Sequence, residues 1–495
     1  MDYRLIIGYS MGHFLNDLCA SVWFTYTLVY FVHGLKFSDV NAGILMLVGQ
    51  LFDAVATPVV GIISDRFSSS QPSSSAVNSG CCGKITHYLK KIWPSNRKGF
   101  HLFGSILVTI TFPLLFTPFN LHNRLLLLVL YCFLAAIFQI GWASVQISHL
   151  ALLNDLSNDP KIRSTLVSCR YIAFVFANMT VFGLFYVFFT FLNKPTSAMS
   201  LYHPIQLSSG PVTDFGPQNV TYFSYLTYVV TCLGVITTII FHILIKKSHL
   251  VDDSEEADGL IEENETNPET SLVNGLEAKK TSDWLKDSTF WLLGFVYMTI
   301  RLTVNMSQLY INMYLLVSLK MSNTDIALVP LTIYLSSIVS TLLQNRLQKI
   351  LSREINCLIG TTFIFIFSMS VLFLDIQSPI KVPVVYVISG VLGLGSSTLL
   401  VTSISMISDL VGNDNKTTGA FVFGAMSFAD KLSSGLSIQL IQIIKPYVTE
   451  RLPFGCEIFY KGLESYGIAG CNAACIIFLI IYSLNSNRKI TNTRS

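Results

Sequence analysis

Hydrophobic residues in this 495-residue chain gather into long runs that polar turns separate. A helix needs about 20 apolar residues to cross the hydrocarbon core of a bilayer, so runs of that length predict membrane-spanning helices. We number twelve such runs as spans 1 to 12, and they cover residues 5–32, 41–63, 99–118, 125–153, 165–191, 222–245, 288–318, 325–345, 356–376, 382–408, 418–444 and 465–484. The pattern predicts an all-α polytopic membrane protein with twelve transmembrane helices.

One long polar segment divides the spans into two groups of six. Residues 246–286 are rich in Asp and Glu and poor in apolar side chains, which predicts a disordered cytosolic linker. The N-terminal half is then 1–245, and the C-terminal half is 287–495. We expect a cytosolic N terminus, because Lys and Arg are then concentrated on the cytosolic side, as the positive-inside rule requires.

Short motifs recur between the two halves. Gly141 in span 4 corresponds to Gly395 in span 10 at an offset of 254 residues, and an Asp follows each glycine at the same distance. A weaker match aligns span 1 with span 7 at an offset of 288 and places Asp17 opposite Asn305. Parallel repeats of six spans are typical of transporters.

The composition agrees with a membrane location and excludes several functions. Hydrophobic residues make up 52% of the chain and charged residues only 12%, whereas soluble domains are about 25% charged. No metalloprotease, serine-hydrolase or nucleotide-binding motif is present. We therefore expect no enzyme activity, no cofactor, no metal and no nucleic-acid partner; the expected partners are a small-molecule solute and the lipid bilayer.

Charged residues inside the spans mark the candidate site. Asp17 lies near the middle of span 1 and Asp53 within span 2, while Arg170, Arg301 and Lys431 lie within or at the ends of spans 5, 7 and 11. An ionised side chain at the centre of a lone spanning helix costs about 3 kcal/mol, and such residues usually serve a pathway for a solute or an ion.

Span 2 ends in the sequence G-x-x-x-D-R, formed by Gly61, Asp65 and Arg66. At this position it resembles the signature loop of the major facilitator superfamily, in which charges latch the two halves on the cytosolic side. We interpret these residues as a cytosolic gate. The alternative is a solvated helix end whose Arg66 follows the positive-inside rule.

The buried charges resemble one branch of that superfamily, the glycoside-pentoside-hexuronide:cation symporters. Those proteins have an aspartate on helix one, another on helix two within D-x-x-x-[D/T]-P-x-x-G, an arginine early in helix five and a lysine on helix eleven. Asp17, Asp53, Arg170 and Lys431 match these positions. The resemblance implies two six-helix halves that expose a mid-membrane site to each side in turn.

Two departures from this pattern argue against sodium-coupled sugar transport. Thr57 stands where the sugar carriers place a second carboxylate, and one carboxylate with a hydroxyl is a poor sodium site. Gln139 replaces the acid that binds sugar. The remaining charges, Asp17, Arg170 and Lys431, suit an amphoteric solute, because its ammonium can pair with the aspartate and its carboxylate with either cation.

Several of these residues have a structural alternative. We expect Asp53, with Thr57 beside it, to carry a coupling proton as a lone buried carboxylate, but it can also be a permanently paired packing residue. His13 lies four residues before Asp17 on the same helix face, where it can hydrogen-bond the carboxylate, relay protons or only pack. Asp17 and Arg170 can form a static ion pair between spans 1 and 5.

Four further residues are candidates for contact with the solute: Trp142, Tyr297, Arg301 and Asn305. Arg301 can instead pair with a carboxylate such as Asp430, and Asn305 can join helices by hydrogen bonds. The two aromatic residues can equally line the core.

The linker contains a candidate sorting signal. Glu256, Leu260 and Ile261 fit the acidic dileucine pattern [DE]-x-x-x-L-[LI], which clathrin adaptor complexes read when it is cytosolic and exposed. Asn219 begins a glycosylation sequon on the predicted non-cytosolic side.

A resemblance to animal members of the superfamily covers residues 12–21, 138–144, 146–150 and 419–428. It implies a transporter that moves cysteine into lysosomes and melanosomes by alternating access. Two other functions stay open from the sequence: a lipid or lysolipid carrier, and a membrane scaffold or sensor that does not transport.

Overall fold

The computed structural model describes residues 3–68, 97–157, 160–188, 219–245, 281–411, 416–451 and 454–492. This described part is helical and contains no strand. The predicted sorting residues Glu256, Leu260 and Ile261 lie outside it, and so do the side chains of Asp65 and Arg66.

Helices occupy all twelve predicted spans within the described ranges. Their bounds, in chain order, are Tyr3–Met11 with Phe14–Leu28 for span 1, then Asp39–Ser68, Arg97–Leu115, Arg124–Leu156, Pro160–Val187, Val220–Leu244, Ser288–Met313, Asn323–Ile350, Arg353–Phe373, Lys381–Val411 and Lys416–Arg451, and Gly455–Gly462 with Ile468–Asn492 for span 12. The all-α architecture predicted from the hydrophobic pattern is confirmed.

Three spans are less suited to a bilayer than the rest. Nine helices of the described residues are long and apolar enough to cross a membrane, and spans 1, 7 and 11 are not among them. Span 1 is broken at Gly12 and His13. Spans 7 and 11 carry Arg301 and Lys431. The spans with the weakest membrane signal are thus the ones that hold most of the candidate site.

The predicted linker extends too far at its C-terminal end. Residues Thr281–Lys286 form a helix ahead of span 7, and Trp284 within it is fully buried. The Trp284 ring lies 6.2 Å from the ring of Phe290 in span 7. This short helix therefore packs on the C-terminal half, because one large aromatic side chain anchors a segment that is otherwise polar.

The repeat at an offset of 254 is present in three dimensions. Arg97 of span 3 pairs with Asp155 of span 4 at 3.4 Å, and Arg353 of span 9 pairs with Asp409 of span 10 at 2.9 Å. The two aspartates are the residues that the sequence motifs matched. Corresponding helix pairs in the two halves are therefore joined by the same kind of ion pair at corresponding positions.

The alignment of span 1 with span 7 is different from the one predicted. Spans 1 and 7 both end in a π-helical turn, Val29–Gly34 and Tyr314–Ser318. A lysine with a left-handed backbone conformation follows each turn, Lys36 at φ 56° and Lys320 at φ 48°. These turns correspond at an offset of 284, not 288. Asp17 is then equivalent to Arg301, and its predicted equivalence to Asn305 is wrong.

We predict that Gly393→Ala destabilises the fold, whereas Gly390→Ala in the same span does not. A Cβ on Gly393 would clash with the carbonyl oxygen of Ile333 in span 8, while one on Gly390 would meet no atom within 4 Å. Overpacking of this kind costs about 1–3 kcal/mol, and alanine in an open helical position is neutral or favourable. Thermal unfolding of the two purified variants measures the stability of each. Equal melting temperatures for Gly393→Ala and Gly390→Ala would contradict the close packing at Gly393.

Candidate functional site

The break in span 1 places Asp17 in the first turn of the helix Phe14–Leu28. Space requires the glycine at the break, because a Cβ on Gly12 would lie 2.6 Å from Cδ2 of His149. The free N–H groups at a helix N terminus favour a negative charge, so the break suits a buried carboxylate.

His13, and not Arg170, binds Asp17. Nδ1 of His13 lies 2.7 Å from Oδ1 of Asp17, and both side chains are almost fully buried. The hydrogen bond considered for His13 is confirmed. The static ion pair between Asp17 and Arg170 is not formed within the described part of the chain, where His13 is the partner of Asp17. Oδ2 of Asp17 and Nε of Arg170 are buried without a hydrogen-bond partner there.

Lys431 joins the two halves through Asp53. Its Nζ lies 2.5 Å from Oδ1 of Asp53 and 2.7 Å from Oγ1 of Thr57, and the Thr57 hydroxyl is 3.2 Å from the same carboxylate oxygen. One expectation is therefore corrected: Asp53 is not a lone carboxylate, because Lys431 pairs with it. All three side chains are largely shielded from solvent.

A second charge pair lies within the C-terminal half. Nε of Arg301 is 2.8 Å from Oδ2 of Asp430, which confirms the pairing expected from the sequence. Nδ2 of Asn305 donates to Oδ1 of Asp430 at 2.9 Å and to Oγ of Ser434 at 3.0 Å. Tyr297 interacts electrostatically with this arginine and aspartate. Arg301 and Asn305 of span 7 are thus bound to span 11.

Gln139 and Trp142 lie in the interior of the N-terminal half. The backbone oxygen of Trp142 accepts a hydrogen bond from Nδ2 of Asn16 at 3.0 Å, and its indole donates to Gln146 at 3.2 Å. The amide of the buried Gln139 lies beside Gly49 of span 2. Span 4 therefore braces the part of span 1 that carries Asp17.

The halves are in contact at the end of the bundle that contains Asp39. Nζ of Lys445 is 2.5 Å from Oδ1 of Asp39, and Nδ2 of Asn312 donates to the backbone oxygen of Thr25 at 2.9 Å. With Lys431 on Asp53, these contacts reach from that end to the middle of span 2.

Spans 2 and 11 separate beyond this region. A Cβ on Gly61 would meet only Ile147 of its own half, at 3.8 Å, and one on Gly424 would meet nothing within 4 Å. We infer from these contacts that the bundle is closed at the Asp39 end and opens between spans 2 and 11 towards the Ser68 end, which the positive-inside prediction places in the cytosol. Asp65 and Arg66 follow Gly61 in the last turns of span 2.

The predicted glycosylation residue is sheltered in this conformation. Asn219 immediately precedes the helix of span 6 and is 2% exposed. Its modification stays a prediction.

Sequence reasoning missed a cluster of histidines beside Asp17. His101, His149 and His242 surround the break in span 1 together with His13. A signal existed, since all four histidines lie in apolar runs, where a polar ring needs a partner.

Comparison with known proteins identifies the family. The sequence model of the MFS/sugar transport protein family matches residues 8–445. The human protein named "Major facilitator superfamily domain-containing protein 12" is 33% identical over 490 residues, which cover 97% of this chain and 94% of the human protein. The mouse protein of the same name is 33% identical over 485 residues, covering 96% of this chain and 93% of its own. The chain belongs to the major facilitator superfamily and is a membrane transporter by family and fold.

Solved structures agree on the fold. The crystal structure of a D-xylose-proton symporter has a TM-score of 0.64 and 12% identity, covering 97% of each chain. The inward open conformation of the xylose transporter XylE from E. coli has a TM-score of 0.58 and 12% identity, covering 97% of this chain and 94% of that one. At this identity the likeness extends to the fold alone.

We predict that Lys431→Met strongly destabilises the protein and that Asp53→Asn in the same chain recovers much of the loss. Removing one partner of a buried ion pair leaves an uncompensated charge and costs about 3–5 kcal/mol. The control is Lys461→Met, whose partner Asp375 is 79% exposed, because surface pairs contribute only about 0–1 kcal/mol. The melting temperatures of the purified proteins measure the loss of stability in each variant. An equal fall in melting temperature for Lys431→Met and Lys461→Met would contradict the prediction.

Proposed function

We propose that this member of the superfamily moves a small amino-acid-like solute, with cysteine as the candidate, from the cytosol into lysosomes and melanosomes. Transport proceeds by alternating access and is coupled to protons. Solute would bind between the halves near mid-membrane, where the open end of the bundle leads to Asp17 and Arg170.

The observation that carries this proposal is the relation between those two residues. Asp17 and Arg170 are too far apart to pair directly, yet both act on His13. Each also has a buried polar atom without a hydrogen-bond partner among the described residues. An α-amino acid carries its ammonium and carboxylate on one carbon, so it can lie between the aspartate and the arginine and pair with both. A neutral sugar would leave both charges unpaired.

Five other candidate residues shape the wall of the proposed cavity: Gln139, Trp142, Tyr297, Arg301 and Asn305. The hydrogen bonds and ion pairs described above engage Trp142, Arg301 and Asn305, so these groups shape the cavity wall more than they offer free polar atoms. Lys431 likewise acts on Asp53 and not on the solute.

Asp53 is the proposed coupling residue. A proton on its carboxylate removes the negative charge that holds Lys431, and the contact between the halves is then weakened. Transport into an acidic lumen sets the direction of coupling: each proton moved from that lumen to the cytosol supplies about 1.4 kcal/mol per pH unit. Exchange of lumenal protons for cytosolic solute therefore drives import, whereas symport in that direction would oppose it.

The cellular location rests on the sequence. The dileucine pattern of Glu256, Leu260 and Ile261 supports recognition by clathrin adaptor complexes, and the resemblance to animal members of the superfamily supports cysteine as solute and lysosome-related organelles as destination.

We predict that Asp17→Asn abolishes most uptake of radiolabelled cysteine into isolated organelles, because the solute ammonium loses its partner. Asp53→Asn combined with Lys431→Met, which leaves no unpaired buried charge, should retain solute binding but weaken the dependence of uptake on the pH difference. Asp375→Asn is the matched control, because this exposed carboxylate pairs only with Lys461 at the surface. Equal uptake in the wild type and the first two variants would contradict the proposal.

A further inference from the structure

Four histidines form one buried cluster at the break in span 1. His13, His101, His149 and His242 come from spans 1, 3, 4 and 6. The ring centroids of His13 and His149 are 5.6 Å apart, those of His149 and His101 are 6.2 Å apart, and those of His101 and His242 are 5.2 Å apart. The rings thus form a continuous row from Asp17 to the end of span 6.

Backbone carbonyls determine which ring nitrogens carry hydrogen. Nε2 of His149 lies 2.8 Å from the Tyr9 oxygen, and Nε2 of His101 lies 2.6 Å from the Gly12 oxygen. A carbonyl oxygen only accepts, so both Nε2 atoms are donors. When these rings are neutral, their Nδ1 atoms must therefore be lone-pair acceptors.

The same reasoning leaves two buried lone pairs next to each other. His13 donates from Nδ1 to the carboxylate of Asp17, so its Nε2 is an acceptor. Nε2 of His13 and Nδ1 of His149 are both buried and have no hydrogen-bond partner among the described residues. One proton added to either ring satisfies both nitrogens, directly or through one water molecule.

The other two rings lead from this pair towards the predicted cytosolic side. Nδ1 of His101 is an acceptor and lies 3.2 Å from Nε2 of His242, which is in the last turn of span 6. Nζ of Lys98, at the start of span 3, donates to the backbone oxygen of His242 at 2.8 Å. The row therefore ends near the end of the bundle that is open.

Charged groups from three spans act on the cluster. Asp17 of span 1 attracts a proton to His13, Arg170 of span 5 repels one from His13 and His149, and Lys98 of span 3 repels one from His101. Tyr9 of span 1 stacks on the ring of His149 at 4.3 Å. Asp17 is thus the carboxylate that balances a positive charge on the His13 and His149 rings.

We propose that His13 and His149 together hold one exchangeable proton, and that the ammonium of the solute displaces it. When the ammonium pairs with Asp17, the imidazolium loses its counter-charge and releases its proton to water, which carries it to the cytosol. The rings return to their neutral forms. This inference rests on the proposed function for the identity of the solute, but the proton site itself does not.

The first test needs no solute. Nitrogen-15 NMR of histidine-labelled full-length protein in nanodiscs reports the protonation of each ring between about pH 5 and 8. His13→Gln and His149→Gln assign the signals, and a glutamine amide can still donate to Asp17 or to the Tyr9 carbonyl. We expect the His13 and His149 signals to titrate in one common step that either substitution abolishes or shifts. Signals that stay neutral throughout, or that titrate independently, would overturn the proton site.

The second test measures the link to solute. Calorimetric binding of cysteine in two buffers of different ionisation enthalpy gives the number of protons released per solute bound. We expect release of about one proton by the wild type, at least a twofold smaller release by His149→Gln, and no change in His122→Gln, whose exposed ring lies outside the cluster.

The outcomes distinguish the two proposals. Binding without proton release, or release that His149→Gln leaves intact, overturns the displacement step while the proposed function stands. Failure of cysteine to bind overturns cysteine as the solute, and the NMR titration then still decides whether the proton site exists.

Discussion

The buried ion pair between Lys431 and Asp53 connects the two halves of this transporter inside the membrane. Two charges in such a place are stable only while they remain together, because either one alone has lost its water without gaining a partner. The Lys445–Asp39 pair and the hydrogen bond from Asn312 to the Thr25 oxygen extend this contact to the closed end of the bundle. A single proton on Asp53 removes the attraction, which makes the pair suitable as the point where chemistry controls the separation of the halves.

Span 11 links this contact to the rest of the C-terminal half. Asp430 and Lys431 are adjacent, so their side chains point in directions about 100° apart on the helix. Asp430 faces Arg301 of its own half, and Lys431 faces Asp53 of the other half. A rotation of span 11 that breaks one pair must therefore disturb the other.

The repeat explains why the two halves have different tasks. Asp17 and Arg301 are equivalent by position, yet the arginine pairs with Asp430, whereas the aspartate keeps one oxygen without a partner among the described residues. In the proposed mechanism, the N-terminal half therefore offers charge to a solute. The C-terminal half uses charge at the same position to bind span 7 to span 11.

The sequence predicted the features that depend on local pattern. These are the twelve spans, the repeat at an offset of 254 and the charges within apolar runs. It paired Arg301 with Asp430 correctly because few acids were available. It could not pair Lys431 with Asp53, since these residues are 378 positions apart and only the packing of spans 2 and 11 brings them together. The histidine cluster was missed for the same reason, as four spans contribute one ring each.

The most direct measurement is the distance across the open end of the bundle, between spin labels attached through non-natural amino acids at Ile62 of span 2 and Gly424 of span 11. If the pair between Lys431 and Asp53 controls the halves, the wild type at neutral pH will show one long distance. Asp53→Asn, or acidification of the wild type, will then add a shorter one as that end closes. Identical distance distributions in all three samples would contradict the account.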